Sequence, residues 1–504
     1  MITRILALAG AVTLAASPTP TTPLGPPAGV DASAIDTVVR EYRDATGLPG
    51  AAVTVTRGST VVHAAGYGHT PAGDPITAHT PMAVASVSKS FTALAVMQLV
   101  EAGRVALDGP VQAYLPEFTM ADPRAGQITV RQLLNQTSGM SDTTYRSFSR
   151  RPVPRSLQEA VATMRTARLA ADPGTRWEYH NPNFQVAARL VEVVSGRSFD
   201  DYLRQQVFGP LGMTDSRTAN VASDLPPSAR GHLMILGMAV AVPEPPAFGN
   251  GSGGVLSSAY DMAAWLIAHG NQGRGRNGTA IISPAGLTTL HTPSTVSGSY
   301  ALGWSIATSA SGAPVIEHSG DLFTSTAYQA LLPASGYGVA VMANTGLAHG
   351  DASALIARII ALLEGTPVPS TGTPLLVIDG VLLALASVTA LLAGWGVLRA
   401  RRWAAGRRAW LWTVARLLPL LLPLLLFSSI HHVVSVLYRG RDVAWIQVTY
   451  LYPTFMVLLG TAMVGCIAVL VARLTGLARV GREVRAPKHP TGTARGRTTT
   501  NHMA

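Results

Sequence analysis

Residues 84–103 read VASVSKSFTALAVMQLVEAG, and this stretch predicts a long helix that carries a reactive side chain. The residues that follow Ser86 are mainly apolar and end at Gly103, which is typical of a buried helix and its C-terminal stop. Residues three apart share one face of a helix, so the amine of Lys89 can reach the hydroxyl of Ser86. A hydroxyl becomes a useful nucleophile only when a neighbouring group takes its proton, and this pair supplies such a group.

Lys89 is unusual in this chain, because only two of the 38 basic residues are lysines. The other one, Lys488, lies in a polar tail, whereas apolar residues surround Lys89. Burial disfavours a charged amine and lowers its pKa, which makes the amine a usable base. Helix N-terminal amides near Ser86 would favour developing negative charge. The S-x-x-K pattern alone leaves a second interpretation open, a surface serine beside a lysine that extends into solvent.

Two later segments carry groups that would complete such a site. Tyr179-His180-Asn181 precedes a predicted helix, and a phenol can relay a proton while an asparagine amide can hold a carbonyl. His318-Ser319-Gly320 follows a short predicted strand at residues 314–317. Glycine there permits close backbone approach, and backbone N–H groups can polarise a carbonyl. Structural roles remain open for each segment: a buried tyrosine, a helix-capping asparagine and a histidine at a strand end.

In this order, the three motifs resemble those of the serine β-lactamase and penicillin-binding protein superfamily, especially its class C β-lactamase-like branch. That branch also contains D-Ala-D-Ala carboxypeptidases, D-aminopeptidases and esterases. The resemblance covers roughly residues 33–365. Three flanking stretches agree with it: QLLNQTSG at 132–139, GPLGMTDS at 209–216 and GGVLSSAYD at 253–261.

The resemblance implies a role for each motif residue. Ser86 would be the acylated nucleophile. Lys89 and Tyr179 would share the general-base and general-acid work, and which of them leads is left open. The remaining assignments are substrate binding by Asn181, His318, Ser319 and Gly320, and an oxyanion hole formed by the backbone N–H groups of Ser86 and Asp321.

The chain departs from the family pattern at three positions near these motifs. His318 stands where the family frequently has a lysine, which puts carboxylate binding at neutral pH in question. Thr324 replaces a frequent glycine, and Gln136 replaces a frequent histidine. These changes concern the pocket and leave the assignment of the nucleophile untouched.

The order of predicted elements favours an α+β fold, with an antiparallel sheet flanked by helices and a helical region inserted between its strands. The resemblance implies that this is the β-lactamase/transpeptidase-like sheet. Helices are predicted at residues 33–46, 86–102, 184–194, 200–207 and 352–363, and strands at 51–56, 60–65, 301–307, 327–332 and 339–343. An apolar run at 234–242 is predicted to be a core element, with an acyl pocket or a bilayer contact as the alternatives.

The predicted domains follow from apolar and Pro/Thr-rich stretches. Residues 1–17 are typical of a signal peptide, and 18–30 are a linker. A hydrolase domain is predicted at 31–365 and a second linker at 366–374. Three apolar spans follow within 375–472, at about 375–398, 411–433 and 448–472, each long enough to cross a bilayer. Residues 473–504 form a basic tail.

The charge distribution predicts how the chain sits in a membrane. Residues 399–504 carry 15 of the 38 Lys and Arg residues but only 2 of the 27 Asp and Glu residues, so the rest of the chain is close to neutral. Five arginines fill the loop after the first span, whereas the next loop has two arginines and one aspartate. The positive-inside rule places the five-arginine loop and the tail in the cytosol, and the hydrolase domain outside a bacterial cell membrane.

Composition and motifs also restrict the partners. The near-neutral body gives no reason to expect nucleic acid, and the single Cys466 excludes an internal disulfide. No metal-binding motif is present, so no cofactor or metal is expected. The expected function is acyl-enzyme hydrolysis of a D-amino-acid peptide related to peptidoglycan, or of a small ester, with the lipid bilayer as the other partner. A non-hydrolytic penicillin-binding or peptidoglycan-sensing protein and a true β-lactamase remain alternatives, and the oligomeric state is open.

Overall fold

The structure is a computed structural model that describes residues 30–371, 374–406 and 409–485. The predicted signal peptide, nearly all of the first linker and the last part of the basic tail lie outside the described residues.

The main sheet has six strands, all antiparallel, in the order β2-β1-β11-β10-β9-β8. Two smaller sheets have the orders β3-β7-β4 and β5-β6. The strands are β1 Gly50–Arg57, β2 Thr60–Gly68, β3 Met82–Ala83, β4 Arg217–Thr218, β5 Gly231–Ile235, β6 Met238–Val242, β7 Val255–Ser257, β8 Ser305–Thr308, β9 Pro314–Asp321, β10 Thr326–Leu332 and β11 Tyr337–Ala343.

Helices flank the sheet and also fill the long segment between β2 and β8. The α-helices are α1 Ala32–Thr46, α2 Ser88–Glu101, α3 Val130–Leu134, α4 Leu157–Ala162, α5 Pro182–Ser195, α6 Phe199–Leu203, α7 Gly209–Leu211, α8 Ala259–Gly270, α9 Pro284–His291, α10 Asp351–Glu364, α11 Pro374–Leu398, α12 Ala400–Ala405, α13 Trp410–Leu417, α14 Leu422–Leu437, α15 Trp445–Leu451 and α16 Pro453–Arg485. This arrangement confirms the predicted α+β fold with an inserted helical region.

The central strand β11 shows how the sheet is buried on both faces. Every residue of β11 is buried, and successive side chains point to opposite faces. Val339 and Val341 pack in the apolar cluster that includes residues of α1 and α10. Ala340 and Met342 pack in the cluster that includes residues of α2, α5 and α8. The reactive helix α2 therefore belongs to the inserted region, on the face opposite α1 and α10.

Two predicted elements differ from the structure at the functional motifs. The strand predicted at 314–317 extends to Asp321, because β10 pairs with it as far as Thr326 opposite Asp321. His318-Ser319-Gly320 therefore lies within the strand. The helix predicted from Ser86 begins as an α-helix only at Ser88, after a 3-10 turn at Ala85–Val87. Ala85 has a φ of 48°, which a regular right-handed helix cannot continue through.

The apolar run at 234–242 forms most of the β5–β6 hairpin. Met234 is buried, but Met238 is 63% exposed and Val240 is also exposed. The prediction of a core element is therefore wrong for β6. The hairpin lies beside the start of α11, where a Cβ added to Gly237 would meet a methyl group of Leu376.

Three C-terminal helical segments are long and apolar enough to cross a membrane: Leu375–Leu398, Trp410–Leu437 and Pro453–Arg482. We call them the candidate spans. The third was predicted from residue 448, but α15 ends at Leu451 and a new helix begins at Pro453. Proline lacks an N–H group and its ring would clash with the preceding turn, so α15 cannot continue through it. α16 extends to Arg485, beyond the predicted end at 472.

Candidate active site

The hydroxyl of Ser86 and the amine of Lys89 are in direct contact. Lys89 Nζ donates a hydrogen bond to Ser86 Oγ at 3.0 Å and a second one to the carbonyl oxygen of Ser252 at 2.8 Å. The 3-10 turn at Ala85–Val87 places Ser86 one turn before Lys89, so the two side chains lie on the same side of the chain. The geometry excludes the alternative interpretation in which Lys89 extends into solvent.

Lys89 is fully buried, and this burial controls its protonation. Its exposed fraction is 0%, and the rings of Tyr179 and Phe184 lie 4.7 and 5.7 Å from Nζ. Burial is the main cause that holds the pKa of Lys89 well below its usual value. The positive charge of Arg441 lowers this pKa further, and Asp321 acts in the opposite direction. An amine in this setting can accept a proton at neutral pH.

Tyr179 lies over the amine of Lys89, and its phenol interacts with the hydroxyl of Ser86. Burial raises the pKa of Tyr179 above its usual value, although the contact with Ser86 works against this. The phenol therefore keeps its proton at neutral pH. It can donate a hydrogen bond or relay a proton.

The backbone around Tyr179 is held by buried side chains from the α3 region. Gln136 Oε1 accepts hydrogen bonds from His180 N at 3.0 Å and from Asn183 Nδ2 at 2.6 Å. His180 Nδ1 lies 2.8 Å from Asp142 Oδ1, and both side chains are buried. Gln136 has a φ of 65°, a left-handed conformation that turns its side chain toward this segment. Gln136, one of the departures from the family pattern, thus holds the segment that carries Tyr179 by hydrogen bonds.

Asn181 is the N-cap residue of α5, but its side chain caps no backbone N–H group. Its Oδ1 atom is buried and has no hydrogen-bond partner in the described part of the chain. A buried amide oxygen without a partner is costly, and a polar ligand would satisfy it. The amide is therefore available to a substrate.

His318 is neutral and already occupied on both ring nitrogens. Tyr300 Oη lies 3.0 Å from Nε2, and the carbonyl oxygen of Ser319 lies 2.6 Å from Nδ1. A neutral ring satisfies both contacts when Nδ1–H donates to Ser319 and Nε2 accepts from Tyr300. Burial is the main cause that lowers the pKa of His318 to about 3. His318 cannot supply the positive charge that a lysine at this position would supply.

Gly320 brings strand β9 into contact with the turn that carries Ser86. A Cβ atom at position 320 would lie 2.3 Å from the carbonyl oxygen of Val84 and 3.1 Å from the backbone nitrogen of Ser86. Only glycine permits this approach. Ser319 and Asp321 flank Gly320 at the end of β9, so the predicted substrate-binding and oxyanion residues adjoin the nucleophile.

Gly320→Ala is expected to reduce kcat/KM for any acyl substrate by about 100-fold, because a misplacement of about 1 Å at a reacting group has this effect. The added methyl group would push the turn at Ser86 away from β9. Steady-state kinetics of the purified full chain measures the change.

Gly270→Ala is the matched control. Gly270 ends α8, and a Cβ there meets nothing within 4 Å. Its kcat/KM should remain within about twofold of wild type, since open space imposes no strain. Equal activity of the two variants would contradict the close approach at Gly320.

Three residues of the site were not singled out from the sequence. Tyr300 binds His318, the Ser252 carbonyl binds Lys89, and Arg441 contacts Tyr179. Arg441 lies 262 positions after Tyr179, in a loop between candidate spans, where its charge was used only to predict topology. No sequence signal linked it to the motifs. The GGVLSSAYD stretch begins one residue after Ser252 and was the nearest signal for that carbonyl.

No group of three or more metal-ligating side chains occurs among the described residues. The arrangement that is present consists of a hydroxyl, a buried amine, a phenol, an unpartnered amide and a close strand edge. These are the components of nucleophilic acyl transfer, in which a base activates the hydroxyl and fixed dipoles stabilise an oxyanion.

The region that contains this site is similar to known proteins. The family model described as Beta-lactamase matches residues 35–364, most of the chain. The chain belongs to the beta-lactamase family. Members of this family are generally serine hydrolases, and some are non-catalytic sensors. A curated relative, penicillin-binding protein 4 of Amycolatopsis lactamdurans, is 29% identical over 344 residues, which cover 65% of this chain and 89% of that protein.

Two solved structures of penicillin-binding protein homologues share this family fold. The octameric homologue from Pyrococcus abyssi is 28% identical, with a TM-score of 0.56, and the match covers 67% of this chain and 78% of that chain. The penicillin-binding protein from Bacillus halodurans is 26% identical, with a TM-score of 0.54, over 65% of this chain and 98% of that chain. The recognition of the superfamily from its three motifs is thereby confirmed.

Proposed function

We propose that the protein is a membrane-anchored serine hydrolase that forms an acyl ester on Ser86. The observation that carries this proposal is the 3.0 Å contact between Ser86 Oγ and the fully buried Lys89 Nζ. A buried amine without its proton is the base that a serine hydroxyl needs. The other motif residues surround this pair.

The acylation step follows from the protonation states of the two candidate bases. Lys89 is neutral at the outset and takes the Ser86 proton as Oγ attacks the substrate carbonyl. The phenol of Tyr179, protonated until then, gives its proton to the leaving group as the bond to that group breaks, and it regains a proton from the Lys89 ammonium. Lys89 is therefore the first base and Tyr179 the relay. Backbone N–H groups of Ser86 and Asp321 hold the oxyanion, and the Asn181 amide holds the substrate.

Deacylation reverses these roles with water as the nucleophile. Water gives a proton to the base, its oxygen bonds to the acyl carbon, and the Ser86 oxygen leaves with a proton. The proposed substrates are D-amino-acid peptides related to peptidoglycan or small esters. A positively charged lysine is absent from the His318 position, so this position does not favour a substrate carboxylate, whether of a β-lactam or of a C-terminal D-amino acid.

The proposed location is a bacterial cell membrane, with the catalytic body outside. The loop between the second and third candidate spans contacts that body through Arg441 and Asp142. On the first candidate span, Asp379 Oδ2 accepts a hydrogen bond from Leu236 N of the body at 3.0 Å. The positive-inside rule places the start of the first span and the loop between the second and third spans outside the cell. Contacts of the catalytic body with both places therefore support an outside location for the body.

The test is the partition of the acyl group between water and an added amine. The full chain in nanodiscs is given nitrophenyl and phenyl esters of one acid, together with hydroxylamine. A shared acyl-enzyme predicts the same ratio of hydroxamate to free acid from both esters, because the leaving group has departed before partition. A ratio that differs between the esters, or no turnover of esters, D-peptides and a chromogenic cephalosporin, would overturn the proposal.

A further inference from the structure

The loop between the second and third candidate spans begins with residues 438–444, which connect α14 to α15 and have a defined conformation. Ser435 Oγ donates a hydrogen bond to the carbonyl oxygen of Arg441 at 2.7 Å, and Gly440 N donates to the carbonyl oxygen of Ser435 at 2.8 Å. Arg439 and Gly440 both adopt positive φ angles, which turn the chain tightly. The loop therefore holds Arg441 at a fixed place relative to α14.

Arg441 makes two contacts with Tyr179 and a third with Asp142, which binds the neighbouring His180. Its Nη1 donates a hydrogen bond to the carbonyl oxygen of Tyr179 at 2.6 Å. Its Nε lies 3.1 Å from Asp142 Oδ2, and its Cζ lies 5.3 Å from the centre of the Tyr179 ring. Burial raises the pKa of Asp142, but His180 and Arg441 outweigh this and hold it below the usual value. Asp142 is thus an anion that joins Arg441 to the buried His180.

The neighbouring loop residues add contacts of the same kind. Asp442 N donates a hydrogen bond to Asp142 Oδ2 at 3.2 Å, and Asp442 Oδ2 accepts one from Ser149 N at 2.8 Å. Asp442 is 6% exposed. A Cβ at Gly440 would lie 2.7 Å from a methyl group of Thr143. The loop is therefore packed closely against the catalytic body.

We propose that Arg441 is a positioning residue of the acyl-transfer site, and that the loop between the second and third candidate spans forms one wall of that site. The inference rests on the function proposed above and extends it, because the spans then take part in catalysis as well as anchoring the chain. Arg441 fixes the Tyr179 backbone by a hydrogen bond and the Tyr179 ring by a cation–π contact. It also sets the electrostatic field at Lys89.

The turn between β9 and β10 also contacts the α14–α15 region. Phe323 lies two residues after the end of β9, and its ring lies 6.2 Å from the ring of Tyr450 in α15. Phe323 also packs against an apolar cluster that includes Ile430 and Val434 of α14. Tyr450 Oη donates to the carbonyl oxygen of Pro243 at 2.8 Å. Both the Tyr179 segment and the β9–β10 turn thus rest on α14, α15 and their connecting loop.

The electrostatic part of the proposal concerns the groups around Lys89. Arg441 disfavours the ammonium form of Lys89, whereas Asp321 favours it. Loss of the Arg441 charge would raise the pKa of Lys89, so the amine would remain protonated to higher pH. The acid limb, which is the part of the pH profile where kcat/KM rises with pH, would therefore lie at higher pH. The groups that face Lys89 are the hydroxyl of Ser86, the carbonyl of Ser252, the rings of Tyr179 and Phe184, His318 and Asp321 of β9, and Arg441.

Two substitutions of Arg441 separate geometry from charge. Arg441→Gln removes the charge, and Arg441→Lys keeps the charge but cannot bind Tyr179 and Asp142 together as a planar guanidinium does. With 4-nitrophenyl acetate and the full chain in nanodiscs, Arg441→Gln should reduce kcat/KM by about 10- to 100-fold at pH 7. Its acid limb should lie at higher pH. Arg441→Lys should lose activity as well, with the acid limb unchanged.

Arg439→Gln is the matched control, because Arg439 belongs to the same loop and is exposed. It should retain wild-type kcat/KM within about twofold. The proposal is overturned if Arg441→Gln equals Arg439→Gln in rate and pH profile, or if Arg441→Lys shows the same pH shift as Arg441→Gln. If Arg441→Gln does not fold, Arg441→Lys alone tests the proposal. A wild-type kcat/KM together with a wild-type acid limb in Arg441→Lys would overturn it. A wild-type chain that a fluorophosphonate does not label would overturn the proposed function itself.

Discussion

Ser86→Ala is expected to reduce kcat for ester and D-peptide hydrolysis by about 10⁴-fold or more, because it removes the oxygen on which the acyl ester is proposed to form. The substitution removes one oxygen from a turn whose backbone is fixed by Ala85 and by the approach of Gly320. Stability should therefore change by less than about 1 kcal/mol. Single-turnover kinetics and thermal unfolding of the full chain measure both quantities.

Ser311→Ala serves as the matched control for this loss. Ser311 is an exposed serine in the turn between β8 and β9, and its hydroxyl lies 2.9 Å from the Ser309 hydroxyl. It should behave as wild type. If Ser86→Ala kept more than a small fraction of wild-type turnover in a folded chain, another nucleophile would be acting.

Lys89→Met is expected to reduce kcat by about 10³-fold or more while leaving stability unchanged or higher. The catalytic loss follows because Ser86 would lose the neutral amine that takes its proton. The stability effect follows from the depressed pKa of Lys89. Below its ordinary pKa of 10.5, unfolding lets this amine bind a proton that the folded site disfavours. This penalty on the folded state grows as pH falls toward the folded pKa, and methionine removes it while filling the same space.

Lys89→Arg provides the contrast to this variant. A guanidinium keeps its charge in proteins, so it cannot act as the base and its burial is unfavourable. We expect Lys89→Arg to be inactive and less stable than wild type, and Lys89→Met to be inactive and at least as stable. The comparison is made by thermal unfolding at several pH values together with ester turnover. An active Lys89→Met would contradict the assignment of the base.

The parts of the fold that could be predicted from sequence are the elements that a local pattern of residue types favours. The β-rich runs at residues 51–56 and 339–343 predict strands, and the structure confirms β1 and β11 at those places. The strand at 314–317 was predicted too short, because Ser319 and Gly320 have weak strand preference and only pairing with β10 extends it. Boundaries of this kind depend on tertiary partners that a local pattern does not contain.

In the candidate site, too, contacts between residues near in sequence could be predicted, whereas contacts between distant segments could not be predicted from local patterns. Ser86 and Lys89 are three residues apart, so their contact follows from local geometry. The meeting of Ser86, Tyr179 and β9 required the family resemblance, since these segments are far apart along the chain. Tyr300 and Arg441 reach the site through contacts that no motif marks. The neutrality of His318 likewise depends on Tyr300 and on burial, which became visible only in the folded chain.

The most direct measurement is peptide mapping by mass spectrometry after a fluorophosphonate has reacted with the full chain. The account predicts one covalent adduct per chain, located on Ser86, formed rapidly by wild type and at least about 10³-fold more slowly by Lys89→Met. An adduct on a different residue, or equal rates for wild type and Lys89→Met, would contradict the claim that Lys89 activates Ser86.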